Sequence, residues 1–281
     1  MTDHGNSATG PPAIPGQKPC PMCGASIALA SRKCPACGET LAVSPPPTKA
    51  PVGCFTIVAV MGIGAVLVAL LLPSVHRGRE PARRSQCKNN LRQIGIALHN
   101  YAERYGALPP AYTVDADGKP LHSWRTLILP FLDQEPLYNS IDLSKPWDDP
   151  ANAEALGTPV PPYHCPSDTS ARNHTTYLAS VGPNACLRLT EPRPLSEIKD
   201  GTSNTLMVIE VPADLSVPWM SPHDADESLV ISLKPESKLH HAGGMHAALC
   251  DGSVRFISEK TSDAIRRALI TVAGGENVDA F

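Results

Sequence analysis

Aromatic residues are scarce in this sequence: 3 tryptophans, 6 tyrosines and 4 phenylalanines make up 5% of the chain. None of them lies in residues 1–50, where cations are also few. This segment therefore lacks the side chains that stack on bases and neutralise phosphates. We expect no nucleic-acid partner.

Signatures of common catalytic sites are also missing. The sequence contains no Gly-x-Ser-x-Gly, no His-Glu-x-x-His and no phosphate-binding glycine loop. No group of residues supplies a nucleophile, a base and an orienting partner at a recognisable spacing. The sequence predicts a protein that is not an enzyme.

Charge is distributed unevenly, although the formal net charge is only -3. Residues 1–50 carry +2 and residues 76–92 carry +5, which leaves -10 for the chain after Arg92. Phosphate backbones are bound by clustered cations, so the acidic C-terminal part is a poor candidate for nucleic-acid binding. The 30 prolines favour a loop-rich fold with a modest core.

The N-terminal region contains one strong motif. Residues 1–19 are rich in Gly, Pro, Ser and Ala and predict a disordered tail. Residues 20–38 follow as CPMCGASIALASRKCPACG, in which two Cys-x-x-Cys-Gly motifs lie ten residues apart. Such a pair predicts a zinc ribbon with one structural Zn²⁺, rather than two disulfides or a redox motif. Its four ligands would be Cys20, Cys23, Cys34 and Cys37.

An apolar run follows the ribbon. Residues 39–51 are proline-rich and predict an extended linker. Residues 52–72 contain no charged side chain, and about 20 apolar residues match the thickness of a bilayer. We expect a transmembrane helix here, with the lipid bilayer as a partner, rather than a buried core helix.

Residues 74–281 predict a mixed domain. Apolar residues recur every three or four positions from Cys87 to Tyr105, which indicates an amphipathic helix that ends at Gly106, and Pro81 is expected to kink or break the connection before it. Three further segments predict short helices: SWRTLILPFL capped by Ser123, ANAEAL, and TSDAIRRALITV capped by Thr261 or Ser262. Three more predict strands: TTYLASVG, NTLMVIEV and SLVISL.

The stretch HHAGGMHAALCDGSVRF, residues 240–256, combines ligand-type residues with a hairpin pattern. Asp251-Gly252 between alternating apolar residues predicts a β-hairpin whose two central turn residues have positive φ. On one strand, His246 and Cys250 would lie about 13 Å apart, too far to share one ion. We therefore interpret this stretch as a hairpin and not as a metal or catalytic site.

A second polar segment, DGTSNT, begins at Asp200-Gly201. Its carboxylate and hydroxyl oxygens, with those of Ser203, are of the kind that bind Ca²⁺. A turn that enters the following strand is the favoured interpretation.

Several of these segments resemble one bacterial family in the same order. They are LLLPSVHRGREPARRSQCKNNLRQIGIALHNYAERYGALPP, YHCPSD, IKDGTSNTLMVIE, and His241 with nine residues before Asp251-Gly252. The chain resembles, over about residues 53–281, the pseudopilin-like domain of unknown function with a C-terminal His-x9-Asp-Gly motif, called prepilin-type processing-associated.

The resemblance implies an α+β fold in which a long N-terminal helix, half in the membrane, packs on a small antiparallel sheet. No function of a family member is established well enough to imply an activity for this chain. Members typically begin Gly-Phe-Thr-Leu-x-Glu and are cut after the glycine, whereas here Cys54 separates Gly53 from Phe55 and Ala59 replaces the glutamate. Cleavage at Gly53 would also discard the ribbon, so we expect the chain to keep its N-terminal part.

The resemblance also implies a topology and a disulfide. Pilin-like proteins keep the N-terminus inside and export the rest, which suits a thiolate site in a reducing compartment, although the +5 segment after the span favours the opposite orientation. We expect a single-pass inner-membrane protein with an exported C-terminal domain. Cys87 and Cys165 lie in two of the family-like segments and are predicted to pair, the alternative being two small buried apolar side chains.

The sequence therefore predicts a non-enzymatic, pseudopilin-like membrane protein with a role in envelope structure or secretion. Protein partners would dock on the cytoplasmic zinc ribbon or on the pilin-like domain. The alternative is a membrane-tethered ligand-binding or sensor protein. Filament or complex formation without a ligand would favour the first interpretation, and saturable binding of a small ligand the second.

Overall fold

The computed structural model describes residues 16–41, 53–233, 237–276 and 278. Residues 54–57, 60 and 65–79 are described by their backbone alone. The predicted tail up to residue 15 and the predicted linker from residue 42 onward lie outside the described residues. The chain divides into two compact units, Met1–Ala69 and Leu70–Phe281.

The first unit contains a two-stranded antiparallel sheet, β1 (Gln17–Pro19) and β2 (Ser26–Ala28). Residues 17–19, which the sequence assigned to the tail, pair with β2 because the turn after them brings the two segments together. Ile27 and two of the cysteines form a small buried cluster there.

A single helix, α1, runs from Cys54 to Tyr105 over 52 residues. It continues through Pro81, so the predicted break at this proline is wrong. The predicted amphipathic stripe is present from Cys87 to Leu98, because Cys87, Leu91, Ile94 and Leu98 are fully buried. Tyr105, at the predicted end of the stripe, is 60% exposed. The helix ends where Gly106 adopts φ 81° and its N–H donates to Ala102 O at 2.8 Å.

The prediction of a transmembrane helix over residues 52–72 is wrong. Within the part of the chain that the structure describes, no helix has a stretch both long enough and apolar enough to cross a membrane. The predicted single-pass inner-membrane location depended on that helix and is corrected with it.

The second unit holds most of the secondary structure. After α1, its strands are β3 (Tyr112–Val114), β4 (Pro120–Ser123), β5 (His174–Thr175), β6 (Tyr177–Ala179), β7 (Leu206–Glu210), β8 (Val217–Pro218), β9 (Gly244–Leu249) and β10 (Val254–Ser258). Its shorter helices are α2 (Trp124–Leu127), α3 (Glu135–Asn139), α4 (Ala153–Gly157), α5 (Glu227–Ser232) and α6 (Asp263–Ile270). Single turns of 3-10 helix occupy 129–131, 150–152, 161–163, 195–197 and 213–215.

The main sheet has four antiparallel strands in the order β10-β9-β7-β6. Two small antiparallel pairs, β3-β4 and β5-β8, accompany it. This arrangement agrees with the expected α+β class and small antiparallel sheets.

Both faces of the sheet are buried. Leu91 and Leu98 of α1 belong to one apolar cluster with Val208 and Ala248 of the sheet. Residues of β7 and β9 that point the other way, including Ile209 and Ala247, pack with α5 and α6. This second cluster includes Val230 of α5 and Leu269 of α6. The two clusters explain why every residue of β7 and β9 is buried.

The predicted helix caps are present, but one predicted strand is a helix. Ser123 caps α2 and Ser262 caps α6, since each hydroxyl accepts a backbone N–H two or three residues later. The segment SLVISL forms α5 instead of a strand. The Asp226 carboxylate accepts the N–H of Leu229 at 2.8 Å and caps the N-terminus of that helix. This cap outweighs the β propensity of the apolar residues in the segment.

The predicted hairpin is formed by β9 and β10, which pair from Gly244 with Ser258 to Ala248 with Val254. Its turn differs in detail from the prediction, because only Gly252 has positive φ, at 80°. The Asp251 carboxylate accepts the N–H of Ser253 at 2.8 Å and closes the turn.

Candidate functional site

The four ribbon cysteines lie on two turns built in the same way. Cys20 follows β1, and its carbonyl accepts the N–H of Gly24 at 2.9 Å; the carbonyl of Cys34 accepts the N–H of Gly38 at the same distance. Gly24 and Gly38 have φ 71° and 78°, a region that favours glycine. The repeated Cys-x-x-Cys-Gly motif therefore produces two matching turns that hold their cysteines alike.

The four sulfurs converge on one point. Cys20 Sγ lies 3.8 Å from Cys37 Sγ, and Cys23 Sγ lies 3.7 Å from Cys34 Sγ. All four sulfurs lie within 4.8 Å of one another. Four sulfurs at a Zn–S distance of about 2.3 Å in a tetrahedron would be about 3.8 Å apart. The residues present thus fit a metal ion with four thiolate ligands.

The pKa values of the Cys34 and Cys37 thiols are shifted in opposite directions. Hydrogen bonds from the backbone N–H groups of Cys37 and Ala36 lower the pKa of the Cys34 thiol to about 7. At Cys37 a backbone hydrogen bond from Glu39 favours the thiolate, but the adjoining thiols of Cys23 and Cys34 outweigh it and raise the pKa to about 12. A divalent cation at the centre would favour the thiolate form of its ligands.

The second unit contains a buried group of ligand-type side chains that we call the buried cluster: Cys87, Cys165, Glu210 and His241. Cys87 lies on α1, Cys165 follows the 3-10 turn at 161–163, Glu210 ends β7 and His241 precedes β9. One ligand atom from each of the four lies within 4.8 Å of every other. Their positions follow from the sheet order, which sets β7 beside β9 with α1 across one face.

Within the buried cluster, Cys87 and Cys165 are joined as a disulfide with their Cα atoms 5.3 Å apart. The resemblance predicted this pair. The bond connects α1 to the loop after the 3-10 turn at 161–163. Nearby, the amide of Asn90 donates to His164 O at 2.9 Å and holds the same loop against the helix.

The ring of His241 lies at the centre of the buried cluster and is fully buried. Its Nδ1 is 2.9 Å from Oε1 of Glu80 on α1. Its Nε2 lies 3.6 Å from Glu210 Oε1 and 3.9 Å from Cys165 Sγ. The hydrogen bond with His241 lowers the pKa of the Glu80 carboxyl, so this carboxylate accepts from Nδ1.

His246 borders the buried cluster. Its ring meets that of His241 edge to face, with centroids 5.0 Å apart, and its backbone N–H donates to Glu210 Oε2 at 3.3 Å. Sequence reasoning rejected a site at His240–Asp251 because the ligand types within that stretch are too far apart. It missed Glu80 and Glu210, which lie 161 and 31 residues before His241 and give no local signal.

The remaining motif residues have structural roles. Asp251 and Gly252 form the end of the hairpin, where Asp251 is exposed and a Cβ on Gly252 would lie 3.5 Å from the His99 ring of α1. His241 and Asp251 thus stand before and after β9, and only His241 reaches the buried cluster.

The predicted turn at Asp200-Gly201 is present, with Gly201 at φ 94°. The Asp200 carboxylate accepts the N–H groups of Gly274 and Gly275 at 2.7 and 2.8 Å. Because these bonds occupy both oxygens, the residue acts as a clamp on the C-terminal segment, which favours the turn interpretation over a calcium site.

Part of the chain is similar to a known protein family. A family model, SBP_bac_10, described as a protein of unknown function (DUF1559), matches residues 76–190. No curated protein and no solved structure matches the chain. The matched segment includes Glu80, Cys87 and Cys165. Residues 76–190 are therefore similar to a bacterial domain of unknown function.

Proposed function

We propose that this chain is a non-enzymatic, pseudopilin-like structural protein whose ribbon holds one Zn²⁺ and docks a protein partner. The observation that carries the proposal is the convergence of four sulfurs on two matching turns, with two Sγ pairs 3.7 and 3.8 Å apart and all four sulfurs within 4.8 Å of one another. Bound there, the ion would supply a structural cross-link between the turns, since four protein ligands leave no open position for a substrate.

The second unit supports a structural role. A long helix packed on a four-stranded antiparallel sheet is the arrangement expected of pseudopilin-like domains, and the sequence segments quoted above follow the order of that family. Such a domain would contribute to an assembly in the envelope or in secretion. The C-terminal His-x9-Asp-Gly motif would then serve the fold, through His241 and the hairpin turn.

The ribbon also presents apolar side chains to solvent, which supports docking. Met22 is 72% exposed and Leu29 is 57% exposed. Exposed apolar side chains on a rigid metal-bound turn provide a preorganised contact for another protein.

The experiment places a photo-crosslinking amino acid at Met22 of the full chain in its native cells. We expect a discrete cross-linked protein, which disappears when Cys20 and Cys34 are both replaced by serine. As a matched control, the same amino acid at Val114 of β3, 37% exposed and in the other unit, should not give this product. No product at Met22 from a zinc-loaded protein would contradict docking, and saturable binding of a small molecule would favour a sensor.

A further inference from the structure

Glu210 carries a buried oxygen without a hydrogen-bond partner. The residue is 2% exposed, and its Oε1 receives no hydrogen bond from any described group. A buried carboxylate is costly unless a cation or donors compensate it. Oε1 faces His241 Nε2 at 3.6 Å, which is beyond hydrogen-bonding distance.

The hydrogen bond that Nδ1 makes on the other side of the His241 ring determines whether Nε2 offers a hydrogen or a lone pair. An ionised carboxylate only accepts, so Nδ1 donates its hydrogen to Glu80 at 2.9 Å. With Nδ1 bonded to Glu80, Nε2 is the ring atom left to bind a metal ion, and it faces Glu210 Oε1. Two electron-rich atoms facing each other in a buried space leave a position for a cation between them. A carboxylate behind a histidine is the usual support of a metal-binding imidazole.

The sulfurs complete the set. Cys165 Sγ lies 3.9 Å from Nε2, and the four ligand atoms lie within 4.8 Å of one another. Zinc in a tetrahedral site would set N and O about 3.4 Å apart and S and N about 3.6 Å apart. The Nε2–Oε1 and Sγ–Nε2 distances of 3.6 and 3.9 Å exceed these values by a few tenths of an ångström. The two sulfurs are closer together than two metal ligands would be, because they are bonded to each other.

We propose that reduction of the Cys87–Cys165 disulfide converts the buried cluster into a second metal site, which binds one Zn²⁺ through Cys87, Cys165, His241 Nε2 and Glu210 Oε1. A dithiol reductant supplies two electrons and two protons, is itself oxidised to a disulfide, and breaks the S–S bond into two thiols. Metal binding then releases the two thiol protons. Oxidation by a disulfide of the same class reverses the sequence and expels the ion.

The proposed site preserves the connection that the disulfide makes. In both states Cys87 on α1 and Cys165 in the following loop are tied together, and the metal adds Glu210 of β7 and His241. The exchange therefore changes the metal content and redox state of the domain while its fold is kept. It involves none of the ribbon cysteines, so it does not depend on the proposed function.

The test uses the full chain with Cys20, Cys23, Cys34 and Cys37 replaced by serine, so that ribbon metal does not contribute. Co²⁺ is added to the oxidised protein and to protein reduced with a phosphine. Parallel samples receive Zn²⁺ instead, and their zinc content is measured after desalting. We expect one equivalent of metal with thiolate-to-cobalt absorption bands in the reduced protein, and none in the oxidised protein.

Two variants in the same background assign the ligands. The Cys87→Ser/Cys165→Ser variant should bind no metal. It still contains the other buried thiol pair, Cys186 and Cys250, and so controls for metal binding by those thiols. Glu210→Gln keeps the size and the disulfide and should weaken binding at least tenfold. Glu80→Gln should weaken it about 10- to 100-fold, as expected for a group that orients a ligand.

The results that would overturn the proposal are distinct. A reduced, folded protein without bound metal excludes the site. Equal binding by the oxidised protein excludes the redox control, and unchanged binding by the Cys87→Ser/Cys165→Ser variant places the metal elsewhere. Circular dichroism of each sample verifies folding, and Glu210→Gln provides a ligand test if the double serine variant unfolds.

Discussion

Arg125 and Asp224 form an ion pair in which the side chains are 0% and 1% exposed. The guanidinium also donates to the carbonyls of Tyr177 and Ser221. Asp224 in turn accepts the indole N–H of Trp124 at 3.1 Å and the N–H of Ala179 at 2.7 Å. This network fastens α2 to β6, the edge strand of the main sheet.

The first prediction concerns this pair. Asp224→Ala leaves the guanidinium buried without its counter-charge and should lower the free energy of unfolding by about 3 to 5 kcal/mol. The matched control is Glu227→Ala, which breaks the exposed pair with Arg267, where the side chains are 53% and 56% exposed. That change should cost less than about 1 kcal/mol.

Urea unfolding followed by tryptophan fluorescence measures both variants in the full chain. The three tryptophans, at positions 124, 147 and 219, all belong to the unit Leu70–Phe281 and report on it alone. An equal decrease in the free energy of unfolding in the two variants would show that the buried ion pair stabilises the fold no more than the exposed one.

The second prediction separates two neighbouring glycines. Gly243 has φ 88° with open space around it, so Gly243→Ala should cost only the backbone strain of about 1 to 2 kcal/mol. A Cβ on Gly244 would collide with the carbonyl of Ile257 and lie 2.8 Å from the Phe256 ring. Gly244→Ala should therefore displace β10 and cost more, about 3 kcal/mol. Urea midpoints of the two variants compare them directly, and a smaller loss for Gly244→Ala would contradict the close packing of the hairpin.

The third prediction concerns thiol reactivity. Burial raises the pKa of the Cys250 thiol well above its usual range, and its Sγ lies 2.9 Å from the equally buried Cys186. In native protein treated with a chelator, iodoacetamide should modify the exposed Cys23 within minutes, and Cys37 more slowly because its pKa is raised to about 12. Cys186 and Cys250 should stay unmodified until denaturant is added. Peptide mapping by mass spectrometry measures this. Rapid modification of Cys250 would contradict the burial of this pair.

Local patterns in the sequence predicted local structure well. The hydroxyl caps at Ser123 and Ser262, the helix end at Gly106 and the hairpin at Asp251-Gly252 each depend on neighbouring residues. The paired Cys-x-x-Cys motifs likewise predicted that four sulfurs would come together, because the knuckles carry their own turn geometry.

Features that depend on tertiary packing were not predictable in the same way. The residues of SLVISL have a high β propensity and predicted a strand. A helix forms there instead, because Asp226 caps it and Val230 packs against the main sheet. Pro81 was expected to interrupt α1, but the helix continues through it. The apolar run at residues 52–72 was judged by composition alone, and the described part of the structure does not support a span there.

The buried cluster shows the limit most clearly. His241 was judged by the residues within ten positions of it, and that test rejected a site. Its partners come from α1, from β7 and from the loop at Cys165, which only the order of the strands brings together. A pairing of Cys87 with Cys165 was the one long-range element that a family resemblance could suggest.

The most direct test of the central claim is the zinc content of the purified full chain, kept oxidised so that the Cys87–Cys165 disulfide stays closed. We expect one zinc per chain after desalting at neutral pH, and its release on acidification as protons compete for the thiolates. The Cys20→Ser/Cys34→Ser variant should carry none, while its tryptophan-detected unfolding is unchanged. A wild-type chain without zinc, or a variant that retains it, would contradict the account.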